Sequence, residues 1–173
     1  MTPVESAVIV TVPAAEPVVG EHRARLDQAA GWGVPAHVTV LYPFVSPRDL
    51  DLGVLERLAR AVASVARFDA TYQATGWFGA EILWLEPRPR DRFQALTSAV
   101  AAAFPSFPPY GGAHPDVVPH LTVGDCADEL QLVEAERHIV PRLPVEGLVT
   151  SASLWCGSPV PGSWRQVAAL PLG

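Results

Sequence analysis

Apolar and polar residues alternate in several short runs of this chain and recur every three to four residues in others. Alternation marks a strand with one buried face, and the longer period marks a helix with one apolar side. Residues 7–12 are a β-branched run closed by Pro13, and residues 36–42 alternate up to Pro43, so both predict strands. A helical stretch over about 17–30 lies between them and stops at Gly31-Trp32-Gly33. Residues 47–67 carry the clearest helical spacing, with Leu50, Val54, Leu58, Val62 and Val65 on one face. Ser46 before Pro47 predicts the N-cap of that helix, with proline in its first position. Strand 68–75 completes a β-α-β-α-β unit.

The same order then repeats. Strand 82–85 leads to helix 91–104, with Phe93, Leu96, Val100 and Ala103 along one side. A long loop over 105–119 precedes strand 120–123. Helix 128–140 follows, with Leu130, Val133 and Ile139 expected inward, then strands 148–155 and 165–170. The layout predicts one bilobal domain over 1–173, with lobe-forming halves of about 1–76 and 77–173.

Inside this repeat sit two matching tetrads, His37-Val38-Thr39-Val40 and His120-Leu121-Thr122-Val123. Each closely follows a proline (Pro35, Pro119), and each falls on the middle strand of its unit. In a strand the histidine and threonine share one face while the aliphatic pair enters the core. From residue frequencies, two such matches among 5 histidines arise by chance with odds on the order of one in a thousand. Two imidazoles can divide acid and base duty. Two hydroxyls can donate to the oxygens of an anion between them. That set suits phosphoester chemistry without a metal, and His-x-Thr is not a zinc spacing. We therefore expect no cofactor and no metal.

Composition narrows the partners. Apolar content of 49% with 17% charged residues describes a globular chain. No apolar run reaches the roughly 18 residues of a membrane span. Residues 1–6 lack a basic segment leading into an apolar one. The expectation is a soluble, cytoplasmic protein that does not engage a membrane. Net charge is −6, from 12 basic and 18 acidic residues, with no basic stripe for gripping long nucleic acid. The expected partner is a small phosphodiester or an RNA terminus. Cys126 and Cys156 form neither a zinc pattern nor a disulfide framework, and at least one is expected buried in a strand.

Secondary candidates remain open at this level. Tyr110, in the Gly- and Pro-rich loop 105–119, either contacts substrate by stacking on a base or sits in a plain surface loop. Trp77, Phe78, Trp84 and Trp155 supply a stacking platform or fill the core. Arg165 reaches a phosphate or snorkels at a sheet edge. His22 and His138, among charged helical neighbours, are expected on solvated faces.

The tetrads, with Pro-Ala-His-Val-Thr-Val-Leu-Tyr-Pro-Phe over 35–44, Pro-Pro-Tyr-Gly-Gly over 108–112 and Val-Val-Pro-His-Leu-Thr-Val over 117–123, resemble the 2H phosphoesterase superfamily. The similarity is to its 2′-5′ RNA ligase and RNA 2′,3′-cyclic phosphodiesterase (LigT-like) branch. It implies an α+β, bilobal, pseudo-twofold LigT-like fold with largely antiparallel sheets around a central groove. It also implies hydrolysis of 2′,3′-cyclic phosphates or 2′-5′ phosphodiester bonds, and the alanine- and proline-rich composition points to a bacterial source. His37 and His120 would be catalytic, and Thr39 and Thr122 would bind the substrate phosphate. Two other readings stay beside it. One is a non-catalytic nucleotide-binding module with the same groove, and the other a metal-dependent hydrolase using His37, His120 and His114.

Overall fold

A computed structural model describes residues 2–113, 117–125 and 127–173. His114 and Cys126 lie outside the described residues. Eight strands form two antiparallel sheets among the described residues. The first sheet runs β2-β1-β7-β8, from β1 (Glu5–Thr11), β2 (His37–Leu41), β7 (Ser151–Gly157) and β8 (Arg165–Pro171). The second runs β5-β4-β3-β6, from β3 (Phe68–Phe78), β4 (Ile82–Arg88), β5 (Leu121–Gly124) and β6 (Val145–Val149). The two orders correspond strand for strand, with a His-Thr strand at one edge of each sheet. The expected α+β fold, duplicated about a pseudo-twofold axis with antiparallel sheets, is what the chain adopts.

The strands of each sheet come from both parts of the sequence. After the helix that follows β2, the chain crosses to lay β3 against β4. After the helix that follows β5, it returns to lay β7 against β1. The sheets are therefore not drawn from 1–76 and 77–173 separately. One buried cluster runs through both, from Val8 and Val38 to Leu83, Leu121 and Leu154.

Five α-helices among the described residues cover these sheets: α1 (Glu16–Leu26), α2 (Gln28–Gly31), α3 (Leu52–Ala63), α4 (Arg90–Ala103) and α5 (Glu129–Ile139). The helix expected over 47–67 is shorter because two caps compete. Ser46 accepts from the Arg48 N–H and closes only a 3-10 turn over Pro47–Asp49. Leu50 is extended, and Asp51 then caps α3 by accepting from the Val54 N–H at 2.8 Å. Leu58 and Val62 face inward as the spacing required. In α5 the inward set is Leu132, Ala135 and Ile139, while Leu130 is 81% exposed. Asp128 and Gln131 form a capping box, and α5 meets the rest of the molecule through the side that carries Leu132, packed close to Gly124 of β5.

The strand expected over 148–155 is two strands. β6 ends at Val149 and β7 begins at Ser151, so the chain changes sheets at Thr150. His22, expected on a solvated face, is buried because α1 packs against α5, with its ring 5.7 Å from that of His138. Cys156 is buried on β7, where burial raises its thiol pKa. No helix among the described residues is long and apolar enough to cross a membrane.

Candidate functional site

β2 and β5, the edges of the two sheets, lie beside each other. Along β2 the side chains alternate, with His37 and Thr39 half-buried and Val38 and Val40 in the core. On β5 Leu121 and Val123 are buried and Thr122 is half-buried. His120 lies one residue before the strand and is half-buried too. The pleat thus brings together the four residues singled out in the sequence.

The two histidines are held in the same way. His37 Nδ1 is 2.8 Å from the Pro35 carbonyl, and His120 Nδ1 is 2.7 Å from the Val118 carbonyl. A carbonyl only accepts, so Nδ1 carries the proton in each neutral ring and Nε2 is left as the basic nitrogen. Burial above all, then the Arg23 charge, lowers His37 to about 4. The bond to Pro35 pulls it back up, and His120 adds a small downward push. His120 is also lowered by burial, opposed by its bond to Val118, and Arg23 is not among its causes. Both rings are neutral at pH 7.

This has a consequence for stability. An unfolded histidine takes its proton near ~6.5, whereas folded His37 takes it near 4. Between those values the unfolded chain binds more protons, so stability is complete above about 6.5 and falls as the pH drops towards 4. The His37 contribution is at most about 3 kcal/mol. Urea midpoints should fall from pH 7.5 to pH 4.5, and His37→Gln should make the fall shallower.

Arg23, on α1, ties β5 to the segment that leads into β2. Its guanidinium is 2% exposed and pairs with Asp27, Nη2 to Oδ2 at 2.6 Å and Nε to Oδ2 at 2.8 Å. It also donates to the Thr122 carbonyl at 3.2 Å and, from both terminal nitrogens, to the Val34 carbonyl at 3.3 Å. Asp27 in turn caps α2 by accepting from the Ala29 N–H at 2.9 Å. Burial raises the Asp27 carboxyl, and the Arg23 charge opposes that. Glu16 accepts from the Ala36 N–H at 2.6 Å, so α1 grips the approach to His37 at two points.

Aromatic residues flank both histidines. Phe78 and Trp84 stack at 5.0 Å, and each meets the His120 ring edge-on, at 5.0 and 6.1 Å. The Trp84 indole lies directly over Gly76, where a Cβ would overlap its ring. Trp77 points its N–H to Glu136 on α5 at 3.0 Å. On the other side a cavity of about 250 Å³ is lined by His37, Thr39, Trp32, Tyr42, Trp155 and Trp164 among others. Trp155 Nε1 donates to Ser153 Oγ at 2.9 Å.

The segment around Tyr110, after α4, folds back onto the end of β2. The Tyr110 N–H donates to the Tyr42 carbonyl at 2.7 Å, and its hydroxyl shares a hydrogen bond with Thr39. Burial raises the Tyr110 hydroxyl pKa, and the Thr39 bond opposes that. Tyr110 adopts φ 51°, a left-handed conformation that a bulky residue holds only when its surroundings demand it. Arg165, exposed on β8, donates to the carbonyl of Trp164 at 2.7 Å. His114, proposed as a third metal ligand, lies outside the described residues.

Arg23, Asp27, Trp32, Tyr42, Asp125 and Trp164 were not singled out in the sequence. The one legible signal was Arg23-x-x-x-Asp27, a charge pair at helical spacing whose burial no spacing reveals.

A sequence model of the 2′-5′ RNA ligase superfamily matches residues 11–157. A search of curated protein sequences gives no match. Among solved structures, Escherichia coli LigT complexed with 3′-AMP is 17% identical, with a TM-score of 0.64 over 99% of both chains. The TT0787 protein of Thermus thermophilus is 19% identical, with a TM-score of 0.65 over 96% of this chain and 97% of its own. Escherichia coli LigT complexed with NADP+ is 18% identical, with a TM-score of 0.59 over 99% of both chains.

Proposed function

The chain belongs to the 2′-5′ RNA ligase superfamily, and on that footing we propose that it hydrolyses 2′,3′-cyclic phosphates or 2′-5′ phosphodiester bonds without a metal. The observation that carries this reading is the matched pair of imidazoles. Each has Nδ1 committed to a backbone carbonyl two residues upstream and a threonine two residues downstream on the same face. A binding site needs no such matched pair of titrating groups. The nucleotide complexes of LigT support a small nucleotide or an RNA end as the partner.

In the proposed reaction His37 Nε2 takes a proton from water as its oxygen attacks phosphorus. The bond from phosphorus to one ribose oxygen breaks, and His120, in its protonated imidazolium form, delivers the Nε2 proton to that leaving oxygen and returns to the neutral ring. Thr39 and Thr122 donate to the non-bridging oxygens, where charge accumulates. Arg23 favours His37 as the base, since its positive charge disfavours an imidazolium there. His120 escapes that influence and is the better proton carrier. Tyr110 orients Thr39 through their shared hydrogen bond and is the proposed further substrate contact.

The test is hydrolysis of a panel of nucleoside 2′,3′-cyclic monophosphates in EDTA across pH. Turnover should be insensitive to the chelator. kcat/KM, which reports the free enzyme, should be bell-shaped, with its acid limb near 4 and its alkaline limb below 6.5. Activity abolished by EDTA would remove the metal-free reading. Absence of turnover on cyclic phosphates and 2′-5′ oligonucleotides would favour the nucleotide-binding module.

A further inference from the structure

The two sides of the groove differ in a way that the duplicated strands do not require. Beside His120 the aromatic rings of Phe78 and Trp84 stack on each other. Beside His37 the rings of Trp32, Tyr42, Trp155 and Trp164 line an open cavity of about 250 Å³. That is smaller than the ~300–1,000 Å³ of a drug-sized site, and suits a single planar ring system. Its wall is mostly apolar, and no arginine is among the described residues that line it, so these offer nothing to a second phosphate. Trp164 is 3% exposed, and its indole N–H has no hydrogen-bond partner among the described residues.

Two polar side chains complete this wall, Gln28 and Asp125. Asp125 is fixed there from two directions. Its N–H donates to the Leu26 carbonyl at 2.8 Å, and its Oδ1 accepts from the Gln28 N–H at 3.0 Å. Oδ2 has no hydrogen bond or ion pair among the described residues. A carboxylate accepts and does not donate. At the wall of an aromatic cavity it rewards a ring that presents N–H groups and repels one that presents carbonyls.

We infer that this cavity is a nucleobase subsite, and that Asp125 makes it select bases bearing an amino group, guanine foremost. The inference rests on the reading of His37 as the base and Thr39 as a holder of the phosphate. A phosphate there leaves the attached nucleoside the adjoining cavity, where its base stacks on tryptophan. Guanine turns two adjacent N–H groups towards a carboxylate, and cytosine and adenine turn one amino group. Uracil has a single ring N–H flanked by two carbonyl oxygens, which the carboxylate repels. Gln28 can donate to a base carbonyl beside the amino group.

Three of the 5 tryptophans line the cavity, so their fluorescence reports occupancy without any turnover. The full chain is titrated with guanosine, cytidine and uridine 3′-monophosphates, and with inorganic phosphate as reference. Half-saturation for the guanosine compound should come at a concentration at least about tenfold below that for uridine. Asp125→Asn keeps an oxygen for the Gln28 N–H at an exposed position and should close the gap to within about threefold. Equal half-saturation for all bases, a gap unchanged in Asp125→Asn, or a response to phosphate alone equal to that of the nucleotides would overturn the subsite. Base-selective quenching without hydrolysis would support the subsite and remove the hydrolase reading. Hydrolysis indifferent to base and to Asp125→Asn would do the reverse.

Discussion

Alanine at His120 or at His37 is expected to cut turnover of a 2′,3′-cyclic phosphate by at least about a hundredfold while the protein stays folded. In the proposed reaction each imidazole supplies one proton transfer worth ~10²–10⁴ in rate, or roughly 3–5 kcal/mol of barrier. Neither ring is part of the core, since both are half-buried on the groove face of their strands. The two losses should not multiply in the double variant, because each proton transfer depends on the other. The single variants should also differ in their pH profiles. Loss of His37 should remove the acid limb near 4, and loss of His120 the alkaline one. Either variant retaining wild-type turnover would refute the two-histidine reaction.

Arg23→Met is expected to have the other large effect, on both stability and activity. It leaves Asp27, 4% exposed, without its cation, and strips a donor from the carbonyls of Val34 and Thr122. Breaking a buried pair from one side costs about 3–5 kcal/mol, a large part of the ~5–15 kcal/mol that holds a typical domain together. The double variant Arg23→Met with Asp27→Leu removes both charges and should recover part of that stability in urea melts. It should not recover activity, because the tie between the approaches to His37 and His120 is still missing. Its acid limb should also move up from about 4, since the Arg23 charge no longer opposes protonation of His37. A double variant with wild-type kcat and an unmoved acid limb would reduce Arg23 to a structural residue.

The parts of the fold that depend on local pattern were legible. Both His-Thr strands and the helix faces of α3 and α4 follow from spacing and side-chain chemistry alone. The break at Thr150 was not, because residues 148–155 alternate without glycine or proline to punctuate them. Only the presence of two sheets to join decides where the chain turns from one to the other. The four His and Thr residues of the site were legible because they occur twice. Its surroundings were not. Arg23 and Asp27 look like any solvent-facing helical pair, and Trp32 reads as part of a helix stop. Asp125 looks like a turn residue until β5 sets it beside α2.

The crossing of the chain between sheets bears on how the protein is made. Ala7 pairs with Trp155, and the last neighbour of β7 ends at Pro171. On the ribosome, a nascent chain carrying both His-Thr tetrads still lacks the strand that covers the free side of β1. The second sheet can close once β6 has emerged, but the first waits for β7 and β8. Until then β1, whose central residues are all buried in the finished molecule, presents an apolar, unpaired edge. Synthesis that stops short of β7 therefore yields a chain that holds every candidate catalytic residue and is primed to aggregate.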